Sequence, residues 1–300
     1  MFYHLTILMI IYSITCIGLN IVVGYTGFFS FARAAFFGIG AYTSALLVMS
    51  GVPFLIAIIA GGILAAIFGW ILGLITVEMT GDYFALATFA FAEMTRQVFI
   101  NWTGLTRGPL GLPGIPRPEI FGFRFSTNQA YLFLYIILLI LVLIITEMYV
   151  KSPFGRLLKT IREDETAAQS LGKNIAKTKN ISIAMGAFFG GVGGALYAHY
   201  ITYIDPSAFV LHITIFFLII VIAGGMGNNY GTILGAVMLV LVRELPRYLG
   251  LSPAFAASLQ QMVYSSILVI LMLVRPRGLL GERKLLSEQS SEEGGQIRNA

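Results

Sequence analysis

Two ionisable residues, Glu93 and Arg96, stand inside an otherwise apolar run at 83–100. Their i, i+3 spacing puts both on one face of a helix, where they either neutralise each other as a structural pair or line a polar path or gate. A different chemistry is open to segment 24–42, where Gly24, Gly27, Gly38 and Gly40 permit a bent or unwound backbone. A helix N-terminus exposed there would offer N–H groups to a carboxylate, and close helix packing is the competing reading. Asn20 is a lone amide near the inner end of the first apolar run. Interhelical hydrogen bonding suits it at least as well as contact with a ligand. Gly186, Gly190 and Gly194 form a small-xxx-small stripe that reads as a packing surface, and the GGMGNNYG stretch at 224–231 reads as a tight turn.

Several other chemistries lack their residues. His4, His199 and His212 are too scattered for a metal site, and no HExxH occurs. His199, Asp205 and nearby serines do not by themselves make a hydrolytic triad. A single cysteine, Cys16, cannot close an internal disulfide or form a CxxC pair. No GxxxxGK[ST] loop is present to cradle a nucleotide, so ATP-driven work would need a partner chain. No basic face with interleaved aromatics marks a nucleic-acid surface.

The elements that must hold these residues are set by composition. Of 300 residues, 57% are hydrophobic and only 11% charged, with a mean hydropathy of +0.86. A soluble domain carries about 25% charged residues, so lipid rather than water must cover this surface. Long apolar runs predict spans at 5–23, 52–75, 131–150, 181–203 and 259–274, with less regular ones at 28–49, 83–100, 213–225 and 230–242. The last four are short, glycine-interrupted or charged, and some are expected to be broken or re-entrant. The first run is read as a span rather than a signal peptide, because residues 1–4 hold no Lys or Arg. The expected fold is an all-α polytopic bundle of roughly 8–10 transmembrane helices over residues 1–281. The polar stretch 282–300 is expected to be a disordered tail without chemistry.

Basic residues fall unevenly on alternate loops. Thirteen, including Arg33, seven in 151–179 and five beyond residue 274, lie on one side, against five on the other. The positive-inside bias places the 151–179 loop and the C-terminus in the cytoplasm. That loop reads as a short helix pair opened by Ser152-Pro153 and ended by Gly172. Its net charge of +4 and its alanines suit a surface gripped by another protein, or a connector lying on anionic lipid headgroups.

Gly155-Arg156, the run Ile161-Arg162-Glu163-Asp164-Glu165, Ala167-Ala168 and Gly172 resemble the cytoplasmic loop of branched-chain amino-acid ABC transporter permeases. Residues 20–47, 83–118, 224–227 and 275–280 fall in the same family's order, and the likeness is greater to its larger, LivM type. The resemblance implies a bacterial inner-membrane importer of two permeases, the other LivH-type, with two cytoplasmic ATPases and an external binding protein. This chain would bind no cofactor, ATP and Mg being used by the ATPase subunits. The loop becomes the coupling element: importers of this kind carry Glu-Ala-Ala with a glycine four residues on, a spacing that Ala167, Ala168 and Gly172 keep. Thr166 stands where the glutamate is expected, and Glu165 beside it is the nearest carboxylate. The implied cargo is a small neutral amino acid of the Leu/Ile/Val kind, with urea, short amides or simple sugars as alternatives within related permeases. An ion-coupled secondary transporter is the reading from another class; it needs an isolated mid-membrane acid, which Glu93 beside Arg96 is not.

Overall fold

A computed structural model describes residues 2–248 apart from 77, 80, 121, 122, 126 and 171, together with residues 262 and 266. Eight of the nine expected spans coincide with helices: α1 (Phe2–Thr26), α2 (Arg33–Met49), α3 (Phe54–Thr76), α4 (Asp82–Asn101), α6 (Asn128–Lys151), α9 (Ile175–Ile201), α10 (Leu211–Gly224) and α11 (Asn229–Tyr248). Between them lie the short helices α5 (Thr103–Thr106), α7 (Pro153–Glu163) and α8 (Glu165–Ser170). The ninth span, the 275–280 motif and the 282–300 tail lie outside the described residues. Among the described residues, α1, α3, α6 and α9 are long and apolar enough to cross a membrane, and the chain is an all-α multi-pass membrane protein.

Burial follows from where apolar residues sit around each helix. Apolar on every side, α1 is buried along nearly its whole length, as a helix without a polar face must be when surrounded by protein. Helices α3 and α6 instead turn isoleucines, leucines and aromatics outward, Ile59, Ile63, Ile67 and Ile71 on α3 and Phe133, Ile137, Ile140 and Ile144 on α6. Such faces suit hydrocarbon. Helix α9 joins the two environments, and its glycines set how closely neighbours approach. At Gly40 an added Cβ would overlap the Gly191 backbone, and at Gly194 the Phe37 carbonyl, so α2 and α9 pack backbone to backbone. With α2 continuous from Arg33 to Met49, Gly38 and Gly40 are packing positions in regular helix, and the unwound stretch is confined to residues 27–32.

Alternate connections gather at two ends. At the end opposite the 151–174 segment, β1 (Leu112–Pro113) pairs antiparallel with β4 (Tyr203–Ile204), tying the α4–α6 connection to the end of α9. A second two-residue ladder joins β2 (Glu119–Ile120) to β3 (Phe123–Arg124). Sequence periodicity gave no sign of either, because two residues carry no period.

Candidate coupling and pathway site

The helix pair expected in 151–179 is present. Ser152 caps α7, its hydroxyl accepting from Gly155 N at 3.3 Å, with Pro153 in the first turn, where a missing N–H costs nothing. Gly155 has to be glycine, since a Cβ would overlap the Val150 carbonyl at the end of α6. Asp164 separates the two helices in an extended conformation, and its Oδ1 accepts from Ala167 N at 2.9 Å to cap α8. Glu163 ends α7, and both Glu163 and Asp164 are exposed, as is Arg156. Gly172 closes the segment with φ +71°, a left-handed turn that glycine adopts freely.

The two alanines part company. Ala167 is exposed, whereas Ala168 is fully buried with Ile161 and Ile175, against Phe28 and Leu157. The expectation that both offer small surfaces to a partner is corrected: Ala168 packs beneath α8 against Ile161 of α7 and Ile175 of α9, whereas Ala167, about 100° further round the helix, stays outward.

Two basic side chains fasten this segment to the bundle. Arg162 Nη1 donates to Gly24 O at 2.6 Å, a carbonyl in the last turn of α1 that has no partner within the helix. Lys179, 5% exposed, donates from Nζ to Glu165 Oε1 at 2.6 Å, with its ammonium 4.2 Å from the centre of the Phe28 ring. Glu165 therefore faces its own chain.

Next to this contact, Asn20 is fully buried and uses both ends of its amide: Oδ1 accepts from Gly227 N at 2.9 Å and Nδ2 donates to Asn229 Oδ1 at 3.2 Å. Asn229 continues to Glu147 Oε1 at 3.4 Å, and Glu147 Oε2 pairs with Lys151 at 3.0 Å. The bonds link α1, α11 and α6, the interhelical role open to Asn20 from sequence. Gly24 makes room for them, since a Cβ would overlap Asn20 Oδ1, and Gly27 turns the chain away with φ +79°.

The start of α2 is not an open anion site. Thr88 of α4 takes Phe31 N at 3.0 Å and Thr214 of α10 takes Ala34 N at 2.9 Å. Hydroxyls from two neighbouring helices thus occupy donors that a carboxylate would need. Arg33, which sequence counting treats as a loop charge, is 2% exposed and donates from Nη1 to Gly186 O at 2.6 Å. It fills the space that Gly18, Gly186 and Gly190 leave free, so the glycine stripe of α9 admits a guanidinium as well as a helix. No spacing rule along one chain reveals that meeting.

On α4, Glu93 and Arg96 do pair: Arg96 Nε lies 3.1 and 3.0 Å from the two Glu93 oxygens and Nη2 also bonds Oε1. Gln97 adds a bond to Glu93 Oε1 at 3.1 Å. The pair is half-exposed, 41% for Glu93 and 24% for Arg96. It lies apart from Asn20 and Gly24, so the residues expected along a path fall into two groups. His199 bonds Pro116 O through Nδ1 and Ser44 Oγ through Nε2, both at 2.9 Å; because a carbonyl only accepts, Nδ1 carries the proton and Nε2 accepts from Ser44. Asp205 caps the turn after β4 through Ser207 and Ala208 and takes no part in a triad.

The helix pair is thus clamped to the bundle at α1 and α9. Residues 1–274 match the family described as branched-chain amino acid transport system, permease component. The chain belongs to this permease family. The permease is 33% identical over 297 residues to the high-affinity branched-chain amino acid transport system permease protein LivM of Escherichia coli (strain K12), covering 91% of this chain and 68% of that one. It is 27% identical over 325 residues to the probable branched-chain amino acid transport permease protein LivM of Methanocaldococcus jannaschii, covering 92% of each. Likeness to the E. coli permease protein LivH is 26% over 289 residues, covering 90% of this chain and 91% of that one. No solved structure matches.

Proposed function

We propose that this permease is one of two membrane subunits of an ATP-driven ABC importer, and that it passes branched-chain amino acids delivered by an external binding protein. The observation that carries the reading is the family match across residues 1–274, joined to a helix pair that holds Ala167, Glu163 and Asp164 outward while fixed to the bundle. Cytoplasmic ATPases, using ATP and Mg, grip α7 and α8 at those residues. Closure of the ATPases moves the helix pair; Arg162 passes the motion to the end of α1, and Glu165 passes it through Lys179 to α9. The C-terminus and the 151–174 segment lie in the cytoplasm of a bacterial inner membrane, the side favoured by the Lys and Arg count.

The test is purification in mild detergent of this chain expressed with a LivH-type permease, the ATPases and the binding protein. A stable complex whose ATP hydrolysis rises with loaded binding protein is the expected result. Loss of the ATPases on Glu163→Lys with Asp164→Lys, in a folded protein, places docking on α7 and α8. A chain that purifies alone and transports without ATP contradicts the reading and returns the ion-coupled carrier.

A further inference from the structure

Residues 27–32 carry the chain from α1 to α2 without helix, and they do so inside the bundle rather than beyond it. Thr26 ends α1 at the level of Lys179, since both line one small cavity. Arg33 opens α2 against Gly186, seven residues further along α9 and about 10 Å deeper at 1.5 Å per residue. Phe31 N bonds Thr88 in the second turn of α4, so the backbone itself makes this climb. Past Lys179, α9 holds no Asp, Glu, Lys or Arg, which marks the depth as membrane interior. Non-helical backbone persists there only where protein buries it or a water-filled cavity meets it. Ser30 and Ala32 are buried, whereas Gly27 is exposed and Phe29 is 44% exposed. The exposed part of this strap therefore borders water.

Both helices of the 151–174 segment rest on the same strap. Gly27, in a left-handed turn with φ +79°, faces Arg162, whose Cγ would lie 3.3 Å from an added Cβ. Phe28 packs with Leu157 against Ile161 of α7, Ala168 of α8 and Ile175 of α9. Its ring also meets Phe84 of α4, with centroids 5.5 Å apart, in a cluster with Val22 of α1 and Ile183 of α9. Lys179, paired with Glu165 of α8, stands 4.2 Å from the centre of that ring. One aromatic side chain is thus shared by the α7–α8 pair and three helices of the bundle. Packed interfaces of this kind switch between discrete arrangements instead of deforming smoothly, and Gly27 supplies backbone freedom at one end.

We infer that residues 27–32 are a strap that closes the cytoplasmic mouth of the substrate path, with Gly27 as hinge, Phe28 as the lever worked by α7 and α8, and Phe29 as the obstructing side chain. This rests on the proposed function and names the element of this chain that the ATPases move. Phe28 is a positioning residue: it acts on Phe29 through the backbone and meets no substrate. A bare aromatic ring suits a gate, since an apolar constriction excludes water and offers the charged ends of an amino acid nothing to bind.

Phe29→Cys on a Cys16→Ala background tests this in the assembled importer, in inside-out membrane vesicles. A charged methanethiosulfonate added from the cytoplasmic side is expected to label Phe29→Cys and not Leu74→Cys, an outward-facing control on α3. Trapping the ATPases with ATP and vanadate is expected to change the Phe29→Cys labelling rate severalfold. Phe28→Leu, which stays apolar but loses the ring, is expected to abolish that change and to lower transport per ATP. A Phe28→Leu complex that melts lower yet keeps the full response to trapping overturns the lever. Labelling no faster than at Leu74→Cys puts the strap against lipid, and equal labelling with and without trapping makes it static; either overturns the gate. A bifunctional thiol reagent that joins Phe29→Cys to an ATPase or to the second permease in both nucleotide states makes it a fixed contact and overturns the gate as well. The Cys16→Ala parent separates the two levels: if it holds and traps the ATPases while the strap fails, this inference alone falls, and if it does neither, the proposed function falls.

Discussion

Arg162 and Gly24 lie 138 residues apart in sequence, yet the Arg162 guanidinium donates to the Gly24 carbonyl at 2.6 Å and caps the central helix from the peripheral loop. A charged donor on an unpaired helix carbonyl is worth about 1 kcal/mol when part-exposed, less than the usual 1.5–3 for a charged hydrogen bond. The protein should therefore stay folded without it. Arg162→Ala is expected to retain ATPase co-purification and ATP hydrolysis while transport per ATP falls, read by uptake and phosphate release in the same proteoliposomes. Equal loss of both, or of neither, contradicts a transmitting role.

Gly24 is expected to tolerate no side chain. An added Cβ overlaps Asn20 Oδ1 and the Gly227 backbone. Overpacking of this kind costs about 1–3 kcal/mol. Gly24→Ala should lower the melting temperature of the purified protein, whereas Gly104→Ala, with open space around it, should not.

The two alanines of α8 separate docking from folding. Ala167→Trp is expected to abolish ATPase co-purification while the melting temperature is unchanged, because Ala167 is exposed. Ala168→Trp should destabilise the loop itself, since the residue is 0% exposed between Ile161 and Ile175. Limited proteolysis at 151–174 distinguishes the two.

Lys179 and Glu165 differ in exposure, 5% against 41%, and that difference sets the sign of a comparison. Lys179→Met leaves a carboxylate that water reaches. Glu165→Gln leaves a buried ammonium facing the Phe28 ring, and an uncompensated buried charge is the costlier outcome, by about 1–3 kcal/mol here. Thermal unfolding should rank Glu165→Gln below Lys179→Met.

Periodic apolar runs carried enough information to place eight helices, because burial in lipid or protein imposes long stretches without charge. The α7–α8 pair was legible for a local reason: Ser152-Pro153 and Gly172 are start and stop signals that act on their own backbone. What could not be read was decided by distant contacts. Arg33 became a buried residue only because Gly18, Gly186 and Gly190 vacate space from two other helices. The donors at the start of α2 were taken by Thr88 and Thr214, two threonines with no pattern to mark them. Glu93 and Arg96 were visible as a pair from their spacing, but their outward direction depends on how α4 packs. Ala168 was decided in the same way, since the residues that bury it, Ile161 and Ile175, sit on two other helices, α7 and α9.

On the proposed function, this chain moves branched-chain amino acids only as part of an ATP-driven assembly. Uptake of labelled leucine into proteoliposomes holding both permeases, the ATPases and the loaded binding protein tests it most directly. Uptake that requires ATP, both permeases, the ATPases and the binding protein, and that stops on Ala167→Trp, is expected. Uptake by this chain alone under an ion gradient, without ATP, would contradict it.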